Sequence, residues 1–134
     1  MSTTKLSLYP EDNLKACPCV GETLDKLVQP AILAILAQGP MHGYRLVERL
    51  GAMPSFDGRK PDASGVYRVL KVMERRGLVV FAWDASQAGP AKRTYQITPG
   101  GQQCLGSWVR TLEQYRNRIT SLLNTARSAA KKGD

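Results

Sequence analysis

Apolar positions along this chain change their period several times, and each change marks an element. Residues 30–37, PAILAILA, are apolar on nearly every side. That pattern belongs to a helix surrounded by core, not one lying on its surface. Gly39 and Pro40 close it, and Pro30 fits its first turn, where no N–H is needed. In HGYRLVERLGAM, residues 42–53, an inward stripe of Tyr44, Val47 and Leu50, with Leu46 beside it, opposes Arg45, Glu48 and Arg49. The spacing predicts a second helix ending near Gly51. Two Pro and a Gly in MPSFDGRKPD predict a loop. Upstream, residues 1–21 are polar, hold Pro10 and Pro18 and show no period, so a flexible arm is expected there. TLDKLVQ allows a turn or two of helix from Thr23.

The third helix is predicted from Asp62, an N-cap residue type, to Gly77. Val66, Val69, Leu70 and Met73 stand at i, i+3, i+4 and i+7 and form its buried face. LVVFAW then has the composition of a strand, DASQAGPAK that of a turn-rich tip, and RTYQIT that of a half-buried return strand. Together they predict one hairpin. Thr98 and Pro99 open a last helix, as cap and first-turn residue. Along it Leu105, Trp108, Leu112, Tyr115, Ile119 and Leu122 repeat at spacings of 3, 4, 3, 4 and 3, which is a heptad seam. Its end, ARSAAKKGD, is polar and expected to fray.

The fold class is therefore mainly α with a small β-hairpin. The order of helix, helix, loop, helix, hairpin and long helix is that of a winged helix-turn-helix with a long C-terminal dimerisation helix. Three parts are expected: the arm over 1–21, the DNA-binding domain over 22–98 and the dimerisation helix over 99–134.

Charge sharpens this layout. The 134 residues carry a net charge of +8. Residues 1–30 hold three Lys against four acids, and the remaining 104 hold sixteen Lys or Arg against seven acids. A basic body points to a polyanion. In a winged helix-turn-helix the third helix enters the major groove by its N-terminal end, and the wing meets the backbone or minor groove. Ala63, Ser64 and Gly65 at the helix start leave room for close approach, and the free N–H groups there favour phosphate. Arg68, Lys71 and Arg75 share a face away from the core, and Lys92 and Arg93 sit where the wing turns back. Ser64, Gly65, Arg68, Lys71, Arg75, Lys92 and Arg93 are thus candidate DNA contacts. An ordinary solvated basic face is the alternative for the helix alone; basic residues on two separate elements weigh against it.

Several motifs resemble the PadR family of transcriptional regulators over residues 30 to 123: AILAILAQGPMHGYRLVERL, GVYRVLKVMERRGLV and GPAKRTYQITPGG. The family's pattern has a Gly-Pro-x-His-Gly-Tyr step, a Leu-Tyr-x-x-Leu recognition helix, a Glu-x-x-Gly-Leu exit, a basic wing and a Thr-Pro-x-Gly helix start. Val66 stands where Leu is usual, and Ser64-Gly65 where Gly followed by Ser or Thr is common. The resemblance implies a dimeric repressor on a palindromic double-stranded operator, often released by a small molecule. It makes Tyr67 similar to a Tyr whose hydroxyl approaches the DNA backbone, and His42 a structural or backbone-positioning residue. Tyr44 is expected to pack.

The heptad seam from Leu105 to Leu122 needs a partner, and a second copy supplies one while setting two recognition helices about 34 Å apart. By resemblance to short members of the family, Trp108, Leu112 and Tyr115 line a place for a flat aromatic effector; as plain interface core they need no ligand. Cys17 and Cys19 are weak candidates for a soft metal, with no third ligand nearby and Cys104 distant. No cofactor is expected. An odd cysteine count argues against a disulfide framework. Lacking a secretory pattern or a membrane-length apolar run, the chain is expected to be cytoplasmic. One His and no nucleotide loop leave no catalytic constellation. The rival function is a winged-helix module that binds an acidic protein.

Overall fold

The computed structural model describes residues 27–53, 62–84 and 92–132. The arm over 1–21, the helical turn from Thr23, most of the loop after Met53 and the wing tip lie outside the described residues, as do Cys17 and Cys19. The elements are α1 (Val28–Leu36), β1 (Met41–His42), α2 (Gly43–Ala52), α3 (Ala63–Arg75), β2 (Val79–Asp84), β3 (Lys92–Ile97) and α4 (Pro99–Lys132). This is the expected winged helix-turn-helix followed by one long helix.

The core lies where α1, α2 and α3 meet the sheet. Ile32, Leu33, Leu46, Leu50, Leu70 and Met73 are fully buried there. α1 is buried on most sides, as its unbroken apolar run requires. Asp62 caps α3: its carboxylate accepts from the Gly65 N–H at 3.2 Å. Gly77, at φ 74°, ends the helix. There the Leu78 N–H reaches the Met73 carbonyl at 2.9 Å and the Gly77 N–H reaches that of Glu74 at 3.0 Å. This paired closure needs a left-handed residue, which only Gly adopts without strain.

The same exit anchors α4. The Thr98 N–H donates to the Leu78 carbonyl at 3.1 Å. Its hydroxyl donates to the Gly77 carbonyl at 2.6 Å and accepts from the Gly101 N–H at 3.0 Å. One residue thus caps the long helix and ties it to the end of α3.

Four expectations need correction. The sheet has three antiparallel strands in the order β1-β3-β2, not a lone hairpin. Met41 pairs with Tyr95 and His42 with Thr94, so the step before α2 fills the open edge of β3. A two-residue strand has no period to detect. Tyr44 does not face inward. It lies well off the Leu46, Val47 and Leu50 stripe and is 46% exposed, packed instead against the His42 ring and the Lys92 ammonium. Val69 is only half-buried, packing against the core that Val66, Leu70 and Met73 fill. Finally, α4 does not fray after Thr125 but continues to Lys132. Ala, Arg and Lys are good helix formers, and Lys131 and Lys132 complement the partial negative charge of its end.

Candidate nucleic-acid interface

α3 and the wing enclose two adjoining grooves. One, of about 480 Å3, lies between them and is lined by Ser64, Tyr67, Arg68, Lys71, Phe81 and Arg93, among others. The other, of about 450 Å3, lies at the wing root between Gly43, Tyr44, Tyr67, Trp83, Lys92 and Arg93. Tyr67 and Arg93 border both. Among the described residues, Glu74 is the one acid in the two linings.

Strand register builds the wing's contribution. Trp83 pairs with Arg93 and Phe81 with Tyr95, which puts four side chains on one face. The Arg93 guanidinium lies 5.0 Å from the Phe81 ring centre and 5.2 Å from that of Trp83. One of its terminal nitrogens donates to the Tyr95 hydroxyl at 3.4 Å. That hydrogen bond, with the Tyr95 phenol's charge interaction, raises the Arg93 pKa above its ordinary value despite its exposure. Arg93 is therefore a cation held near two rings and one phenol. Trp83 is 59% exposed, and its ring serves as one side of that clamp.

Lys92 projects from the other face of β3, with Nζ 4.9 Å from the Tyr44 ring centre. Tyr44 also stacks on His42 at 5.7 Å. His42 Nε2 meets the Asp84 carboxylate at 3.3 Å, so β1 and the end of β2 are linked across β3. This supports a positioning role for the chain's one histidine.

Tyr67 rests on Gly43. A Cβ there would lie 2.7 Å from the Tyr67 ring edge and 2.7 Å from its hydroxyl. The absence of a side chain at Gly43 lets α3 and α2 approach this closely. Burial is the main cause that raises the Tyr67 pKa, with Tyr95 adding to it and Arg93 opposing. The phenol therefore stays neutral and able to donate.

Of the residues singled out from sequence, Ser64, Tyr67, Arg68, Lys71, Lys92 and Arg93 come together around these grooves. Gly65 does not: it lines the α1 side of α3. Arg75 is exposed at the last turn of α3 and lines neither groove. From sequence, Phe81 and Trp83 read only as strand residues and Tyr44 only as a packing residue, so none is named for the site. The alternation of aromatics at 81 and 83 was a visible signal, but their partners depend on a register that a long wing tip conceals.

On α4, Leu105 and Trp108 pack against the core. Leu112 and Tyr115 stand at the exposed surface, and Ile119 and Leu122 are 62% and 67% exposed. Cys104 is half-buried beside Leu105. Among the described residues there is no cluster of three potential metal ligands and no helix long and apolar enough to cross a membrane.

A recognition helix framed by a cation-bearing wing, with a long helix behind, defines a protein of the winged helix-turn-helix class. A model of the transcriptional regulator PadR-like family matches residues 32–107. The chain belongs to that family, whose members are regulators of transcription and not enzymes. It resembles the Thermoplasma acidophilum protein TA0346 at 30% identity and a TM-score of 0.66, covering 77% of this chain and 96% of that one. A PadR-like transcriptional regulator of Bacillus cereus, 24% identical, gives a TM-score of 0.64 with coverages of 76% and 96%. Bacillus subtilis PadR, solved in complex with operator DNA, is 24% identical with a TM-score of 0.55, covering 62% of this chain and 46% of that one. At such identity the last two show the fold alone. No curated protein matches the chain.

Proposed function

We propose that this protein is a sequence-specific, dimeric DNA-binding repressor that is released by a small molecule. The observation that carries the DNA-binding part is the convergence of Ser64, Tyr67, Arg68 and Lys71 from α3 with Lys92 and Arg93 from the wing around two joined grooves. Guanidinium groups suit phosphates and base edges, and ammonium groups suit phosphates. The likeness to Bacillus subtilis PadR, which was solved on operator DNA, supports the same use of the fold.

Pairing through α4 is the second part. Leu112, Tyr115, Ile119 and Leu122 form an apolar stripe that no described residue covers. Two such stripes bury each other in a symmetric dimer, and two copies of α3 then address a palindrome. Residues 22–98 thus read DNA and residues 99–134 join the copies. Trp108, Leu112 and Tyr115 form a closed surroundings for any flat effector only in the paired state.

The test is salt dependence on a fragment selected from bound genomic DNA. Arg68, Lys71, Lys92 and Arg93, counted twice for a dimer, predict a log–log slope of about −7. Arg68→Ala with Lys71→Ala should flatten it by about 3 to 4. A slope near zero, or one that the double substitution leaves alone, would exclude this mode of binding.

A further inference from the structure

α3 is held on the core by Val66, Leu70 and Met73. At about 100° per residue, Ser64, Arg68, Lys71 and Arg75 fall on the opposite side, and all four are exposed. Arg68 lines the groove toward the wing and also borders the α1 side. A side chain that reaches both flanks of a helix stands on the ridge between them. That ridge is the part that goes deepest when the helix enters a groove. Arg75 shares the ridge but belongs to the last turn. Arg68 belongs to the second turn, just after Ser64 and Gly65, which keep the leading end narrow.

The chemistry of the ridge is one-sided. Arg68 and Lys71 can only donate, and the Ser64 hydroxyl can do either. The acids nearby are placed elsewhere. Asp62 is engaged as the cap of α3, its carboxylate on the Gly65 N–H at 3.2 Å. Glu74 stands near the C-terminal end of the helix, beyond Lys71. Among the described residues Arg68 has no ion-pair partner, so its forked donors are not committed within the chain. In the major groove guanine offers two acceptors side by side, N7 and O6. Adenine and cytosine present an amino group there, which would set donor against donor, and thymine offers one oxygen beside a methyl. A planar guanidinium therefore matches guanine in a way that the other bases cannot reproduce.

We propose that Arg68 is the specificity-determining residue of α3 and reads one guanine per bound chain through N7 and O6. Lys71, with Lys92 and Arg93 of the wing, holds the flanking phosphates. Those contacts fix register and orientation, and the base contact supplies the sequence information. The inference rests on the DNA-binding reading and adds to it the base that is read and the residue that reads it.

The test is selection of duplexes from a randomised pool by the full chain. Affinity is then measured on a selected duplex with each guanine in turn replaced by 7-deazaguanine, which lacks the N7 acceptor but pairs normally. At one guanine per bound chain the replacement should weaken the wild type about five- to tenfold. In Arg68→Ala the same replacement should change nothing. Arg68→Lys keeps the charge and loses the fork. It should retain the wild-type salt slope while its preference for guanine at that position falls about tenfold. Circular dichroism would show that both variants fold, as expected for changes at an exposed helix position. The proposal is overturned if no guanine responds to loss of N7, or if the responsive guanine responds equally in Arg68→Ala. Selection that returns no base preference, with a steep salt slope, leaves DNA binding standing and refutes the reading of guanine. Absence of salt-dependent binding to any duplex refutes both.

Discussion

Two glycines of α4 offer the same substitution with opposite expected signs. Gly101 is buried in the first turn, where a Cβ would overlap the Leu78 carbonyl oxygen and lie 2.6 Å from Ile97 Cγ1. That carbonyl cannot retreat freely, since it accepts the Thr98 N–H at 3.1 Å. Nor can α4 shift without loosening the Thr98 cap on the Gly101 N–H. Forcing a methyl into such a contact costs about 1–3 kcal/mol, and weakening the cap costs about 1 kcal/mol more. The better helix propensity of Ala returns roughly 1 kcal/mol. Gly101→Ala should therefore destabilise by about 1–3 kcal/mol, which lowers Tm by roughly 4–12 °C for a chain of this size. At Gly106 an added Cβ meets nothing within 4 Å. There only the propensity gain remains, so Gly106→Ala should stabilise by about 0.5–1 kcal/mol. Thermal and urea melts by far-ultraviolet circular dichroism, at one fixed chain concentration because pairing also stabilises, would compare the two. If Gly101→Ala melted at or above the wild type, the close contact between α4 and the exit of α3 would be wrong.

Other expectations follow from the same geometry. Ile119→Lys places a charge in the exposed α4 stripe and should weaken pairing at least about a hundredfold, since burying a side chain of this size is worth about 1.5–3 kcal/mol in each copy; sedimentation would detect it, and a wild type that is monomeric at high concentration refutes the seam. Trp83→Ala should weaken DNA binding about three- to tenfold by freeing Arg93, in line with a cation–π worth of about 0.5–1 kcal/mol or somewhat more. The same change in an Arg93→Ala background should then do nothing further. A loss that persists there would mean that Trp83 touches DNA itself. Tyr67 has its pKa raised on folding, so its neutral form contributes stability that is full below the unfolded phenol's value and lost as pH rises through the folded one. Alkaline unfolding of Tyr67→Phe should accordingly be shallower than that of wild type, and identical profiles would refute the partial desolvation of this phenol.

What was legible in the sequence is what has a period or a cap. α3 announced itself through Asp62, Gly77 and the spacing of Val66, Leu70 and Met73, and α4 through Thr98, Pro99 and its heptads. β1 had neither, because it exists only as the complement of an open edge on β3. The clamp on Arg93 was hidden for a related reason: which strand residues face each other depends on a count through the wing tip, and one residue either way would put Trp83 opposite a side chain on the other face.

The deeper gap concerns α3 itself. Sorting its positions by spacing alone puts Val69 in the buried face and gathers the cations on one outer face. A helix of thirteen residues at 3.6 per turn has room for three faces, and this one uses them all. Val66, Leu70 and Met73 hold the core; Tyr67, Arg68 and Lys71 meet the wing groove; Val69, Val72 and Arg76 look toward α1. Arg68 falls at the border of the second and third faces, which is why one side chain lines two grooves.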